Sequence, residues 1–142
     1  MRSKLTWSIF WTLAAVFVIA VLFMAVPALN KTARMDIVML TVGILLVILG
    51  GLLIFLTVRE DVRGLMRAFL ILTGAAAAGI TVSVLLHNTV YGLFIHFFGE
   101  DFWAGINMPD EPVFFILGLV VCPLAYLTGS IGSIVLARRV RQ

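Results

Sequence analysis

IVMLTVGILLVILGGLLIFLTV, residues 37–58, decides the fold. The stretch contains no Asp, Glu, Lys, Arg or His. As an α-helix rising about 1.5 Å per residue, it would be about 33 Å long. The hydrocarbon core of a bilayer is about 30 Å thick. No water reaches backbone N–H and C=O groups at that depth, so the segment must pair them internally, and a single segment does so only as a helix.

Working outward, similar runs recur. Upstream, a polar turn at Asn30–Asp36 carries Lys31, Arg34 and Asp36. Before it lies Leu5–Leu29, a longer run without charge, with Trp7 and Trp11 near its start and Pro27 near its end. Tryptophan is enriched at membrane interfaces, so the pair reads as an anchor. A basic head, Arg2 and Lys4, precedes the run. Its apolar length exceeds the roughly 7–15 residues of a secretory signal, so an uncleaved helix is expected. Downstream, Arg59–Arg67 forms a compact charged loop, followed by the uncharged run Ala68–Leu86 and, later, Val113–Ala137.

The whole composition agrees. Of 142 residues, 63% are hydrophobic and 12% charged, with mean hydropathy +1.18. Both fractions lie far from those of soluble domains, which are less apolar and about twice as charged. The expected architecture is an all-α integral membrane protein, one domain over 1–142, with four transmembrane helices at about 5–29, 37–58, 65–86 and 113–137. An interfacial or re-entrant aromatic segment would join helices three and four. No internal repeat relates the two halves. The net charge of +3 does not point to nucleic acid, because the cations cluster at the ends of the apolar runs, where topology and anionic headgroups explain them.

Arg2, Lys4, Arg59, Arg63, Arg67, Arg138, Arg139 and Arg141 fall on one side of such a bundle, and only Lys31 and Arg34 on the other. The positive-inside rule then places both termini in the cytoplasm and the connection 87–112 outside a cell membrane.

Lipid is as apolar as leucine, so helices associate through close packing of small residues and interhelical hydrogen bonds. Helix three offers Gly74 with Ala78 and Ala75 with Gly79; helix four offers Gly129 with Ser133 and Thr128 with Gly132. These two faces are expected to make close helix contacts within the bundle, or to serve a homo-oligomer or protein partner. Gly43 and Gly50 share one face of helix two, at a heptad spacing. Pro123 removes a backbone donor and is expected to bend helix four.

Ionisable groups inside a membrane mark function by default, because burying them is costly. The four runs contain none. That argues against a proton relay and against a haem held at depth by histidine, and no cofactor is expected. The hydroxyls of Thr12, Thr41, Thr73, Thr81, Ser83, Thr128, Ser130 and Ser133 are expected to bond to carbonyls one turn back. The single cysteine, Cys122, excludes an intramolecular disulfide and a CxxC motif.

What remains is the connection 87–112. His87, His96, Glu100 and Asp101 are weak metal-ligand candidates; His96 and Glu100 would share a face if that stretch were helical. Tyr91, Phe94, Phe97, Phe98, Phe102 and Trp103 are too apolar for a solvated loop. They fit an interfacial helix, a shielded re-entrant segment or a docking surface. Asp110 is expected to cap helix four, with Pro112 in its first turn. The reading that follows is a non-catalytic accessory or structural membrane subunit, in contact with the lipid bilayer and with a protein partner or further copies of itself. The alternatives are a small oligomeric channel or transporter, or a membrane enzyme or metal-binding protein using the outer histidines and carboxylates.

Overall fold

A computed structural model describes residues 4–26, 35–108 and 111–139. The head residue Arg2, the turn residues Pro27, Lys31 and Arg34, the expected cap Asp110 and the tail residue Arg141 lie outside the described residues. The described chain is an all-α four-helix membrane bundle, with no strand among those residues. Helix α1 is Lys4–Ala25, α2 is Met35–Arg59 and α3 is Gly64–Phe98. A single turn, α4, covers Phe102–Gly105; α5 is Pro112–Ile116 and α6 is Cys122–Arg139. A π-helical segment, Leu117–Val121, joins α5 to α6, so Pro112–Arg139 is one apolar span. Four helices are thus long and apolar enough to cross a membrane.

The bundle is built around α3, which lies between α2 and α6. Small residues, not large apolar ones, make its two seams. Along α2, a methyl group on Gly50 would sit 2.5 Å from the Gly74 carbonyl oxygen and 3.3 Å from the Ala78 nitrogen. The two backbones touch there, and only glycine permits that approach. Two turns before Gly50, Gly43 faces Thr81, whose hydroxyl donates to the Gly43 carbonyl at 3.1 Å. The antiparallel register is therefore fixed at two heights by small residues.

The second seam runs along α6 and the π-helical segment. A methyl on Gly129 would meet Thr73 Oγ1 at 2.6 Å and the Thr73 nitrogen at 2.8 Å. Gly132 lies under the Phe69 ring, Gly79 faces Cys122 Sγ, and Gly118 faces Ser83 Cβ. Ser133 is fully buried. Both small-residue faces make close helix contacts, each with a different neighbour. The Gly74–Ala78 strip meets Gly50 of α2, whereas the Gly129–Ser133 face of α6 meets Phe69 and Thr73, a neighbouring strip of α3. Ala75 and Thr128 are exposed and belong to neither seam. The physical reason is that α3 has a neighbour on each side, so its small residues divide between two faces.

Helix α1 is attached differently. It packs chiefly on α2 and scarcely on α3; its large buried side chains are Phe10, Leu13 and Phe17, of which Phe17 stacks on Tyr126 of α6. Its polar tie to the turn after α2 is Thr6, whose hydroxyl donates to Glu60 Oε2 at 2.5 Å. Glu60 lies in the short turn between α2 and α3, where Asp61 takes a left-handed φ of 49° and pairs with Arg63.

The helix borders shift at one place. α3 does not stop near residue 86 but continues about three more turns, through His87 and His96, to Phe98. Gly99 ends it with φ 96°, a backbone conformation that residues with a Cβ rarely adopt. The connection to the last span is correspondingly shorter.

Candidate functional site

The extension of α3 places His87, Tyr91, Phe94 and Phe98 at alternating steps of four and three, which is one helical stripe. After Gly99 the chain reverses. The Phe102 nitrogen donates to the Gly99 carbonyl, and the single turn α4 lays Phe102 and Trp103 back on that stripe. Trp103 stacks on Tyr91, with ring centroids 5.7 Å apart and planes inclined 13°. It also touches Phe94 at 5.4 Å. Phe102 lies 5.0 Å from Phe94 and 5.1 Å from Phe98. Offset rings at these separations contribute about 0.5–1.5 kcal/mol per pair beyond their area. The aromatic segment is therefore a folded cap on one end of the bundle. Trp103 is buried within it, and its Nε1–H has no hydrogen-bond acceptor among the described residues.

The cap is tied to the start of the last span by His87 and Glu111. His87 Nδ1 lies 3.0 Å from the Glu111 carbonyl oxygen and 3.4 Å from Glu111 Oε2. A carbonyl only accepts, so this contact requires the proton on Nδ1. Glu111 is 4% exposed. Its Oε1 accepts from the Val113 nitrogen at 2.8 Å and its Oε2 from the Phe114 nitrogen at 2.9 Å. The carboxylate thus fills the unpaired N–H groups at the helix start, where a negative charge is favoured. The cap residue is Glu111, not Asp110. Pro112 occupies the first helical position, so the residue directly before it must be the N-cap.

The four weak metal-ligand candidates do not come together. His87 turns toward Glu111, whereas His96 is about 13 Å further along the same helix. Glu100 and Asp101 lie beyond Gly99, off α3 and exposed. His96 and Glu100 therefore do not share a helix face. Among the described residues no three His, Cys, Asp or Glu side chains are grouped as a metal site would require.

The hydroxyls behave in three ways. Thr12, Thr41, Thr57, Thr73 and Thr128 donate to the carbonyl one turn back. Thr81 instead reaches across to Gly43 of α2. Ser130 and Ser133 do neither. They and the Tyr126 hydroxyl are buried without a hydrogen bond of good geometry among the described residues, although Tyr126 and Ser130 lie close enough to influence each other. The expectation of back-bonding therefore fails at Thr81, Ser130 and Ser133. Tyr126 is not among the expected site residues, although its helical spacing from the two serines is an available signal. Pro123 lies two residues after the π-helical segment. Its missing N–H frees a carbonyl one turn earlier, and the helix is widened over Leu117–Val121 at that level.

Compared with protein-family models, with curated proteins and with solved structures, the chain matches none.

Proposed function

We propose that this protein is a non-catalytic accessory subunit of a membrane assembly, with both termini cytoplasmic and the aromatic cap on the outer side of a cell membrane. The observation that carries this reading is the length of α3. Its 35 residues make a helix about 52 Å long, whereas a bilayer with its headgroups is about 40–45 Å thick. The far end of α3 therefore reaches the outer edge of the headgroup layer or beyond it. Phe97 and Phe98 stand there 72% and 65% exposed. Large exposed rings on a folded, stacked platform favour contact with another protein.

Two further features support the absence of chemistry. The cap's buried carboxylate, Glu111, is engaged in closing a helix end. The threonine hydroxyls at depth are mostly engaged by their own helices, which leaves little to line a solute path. The orientation rests on the bias of basic residues toward one end.

The test is mild-detergent isolation of the tagged protein from its native membrane, with mass spectrometry of co-purifying chains. A stoichiometric partner that is lost in Phe97→Asp and Phe98→Asp variants is the expected result. Solute flux by the purified protein alone in liposomes would overturn the reading in favour of a channel.

A further inference from the structure

Helices α1 and α6 meet at the Phe17–Tyr126 ring stack, with centroids 4.1 Å apart. On the lipid side of that stack they leave an open groove of about 290 Å³. Its walls are Ala14, Val18 and Leu22 of α1 and Leu127 and Ile134 of α6, and the stacked rings form its floor. Protein does not fill it, because α1 leans on α2 instead.

The dimensions favour a slender occupant. From Phe10 to Leu22 the groove runs about 18 Å along α1. About 290 Å³ spread over that length makes a narrow slot, open along one side and apolar except for the Tyr126 and Ser130 hydroxyls. A helix about 10 Å across is too wide to lie within it and would reach the floor only with its side chains.

The charge at one mouth selects the headgroup. Tyr126, Ser130 and Ile134 follow each other at intervals of four, and the next position on that stripe is Arg138, which is exposed. On α1, Lys4 lies about five full helical turns before Leu22, and therefore on the same face. It too is exposed. The described carboxylates at this end are already engaged, Glu60 by the Thr6 hydroxyl and Asp61 by Arg63. Two exposed cations, Lys4 and Arg138, thus lie at the same end of the bundle as one mouth of this apolar groove.

We propose that this groove is a binding site for one anionic phospholipid, whose acyl chain lies between α1 and α6 and whose phosphate lies at Lys4 and Arg138. The bound chain completes the contact between α1 and α6 that the protein leaves open.

The test uses the full-length protein in an uncharged detergent, titrated with dioleoyl phosphatidylglycerol or dioleoyl phosphatidylcholine and read by native mass spectrometry. One phosphatidylglycerol should be retained, several-fold more tightly than phosphatidylcholine. Lys4→Gln and Arg138→Gln should each weaken phosphatidylglycerol about fivefold, the value of one cation at an anionic surface, and leave phosphatidylcholine unchanged. Ala14→Phe should abolish retention of both lipids; Ala14→Leu is the milder variant if the phenylalanine prevents folding, which circular dichroism would report. Equal retention of the two lipids would overturn the proposal, as would undiminished retention in a folded, groove-filled variant. Efficient disulfide cross-linking of a Leu127→Cys variant between copies in a bilayer would also overturn it, by showing that protein covers this face.

Discussion

Helices α2 and α1 both pack along the same bundle, yet they are held in different ways. α2 meets α3 backbone to backbone, at Gly50 against Gly74 and at Gly43 against Thr81. α1 lies on α2 with large side chains, Phe10 and Leu13 among them, buried in the bundle and Thr6 tying it to the turn beyond. In water the large side chains would dominate, because burying them removes apolar surface from solvent. In lipid that gain is absent, and affinity comes from close approach and hydrogen bonds. The α2–α3–α6 unit should therefore be the stable part, and α1 the part that opens first, with the groove beside α6 marking its loose edge.

The largest expected effect lies in the tight seam. Gly74→Leu places a branched side chain where even a methyl would be 2.6 Å from the Gly50 carbonyl oxygen and 2.8 Å from Ile54 Cγ1. A loss of about 3 kcal/mol or more is expected, measured by reversible unfolding in mixed micelles. Next is Thr6→Val, which leaves the partly buried Glu60 carboxylate without its donor. A hydrogen bond to a charged group contributes about 1.5–3 kcal/mol, and a position near the helix end argues for the lower figure. The loss should appear as faster proteolysis or cysteine labelling of α1 while α2, α3 and α6 stay protected. Uniform labelling of all four helices would show that α1 is not separable.

Glu111→Ala should cost about 1 kcal/mol, the usual value of a lost cap, and should also free the aromatic end that His87 ties to the last span. Loss of tryptophan ordering at Trp103, read by fluorescence anisotropy, would accompany it. The smallest effect is expected for Ala75→Leu. Ala75 faces outward although it belongs to a small-xxx-small pair with Gly79, so stability should change by less than about 0.5 kcal/mol. A large loss there would mean that a further helix covers that face.

The helix count and spans were legible because four apolar runs bounded by charge admit no other structure in a bilayer. Three features were not. The end of α3 was hidden because a span of about 20 residues satisfies the hydrocarbon thickness, and His87 interrupts the apolar run at that point. Nothing in hydropathy distinguishes an aromatic loop from an aromatic helix. The choice of seam partners was hidden because small residues at a spacing of four mark a close contact without naming the neighbour. Gly43 and Gly50 carried the missing information, since two glycines on one face, a heptad apart, suit a close-packed contact. The cap lies one residue later than expected, although Pro112 at the first helical position points directly to Glu111.

Whether backbone contact at the α2–α3 seam holds the bundle can be tested at one pair of adjacent residues. A methyl on Gly50 would collide with the Gly74 carbonyl, whereas Gly51 has open space around it. The decisive measurement is the unfolding free energy of Gly50→Ala and Gly51→Ala in the same micelles. The expected result is a loss of about 2 kcal/mol or more for Gly50→Ala, and no loss or a gain of up to about 1 kcal/mol for Gly51→Ala. Equal effects at the two positions would contradict the account.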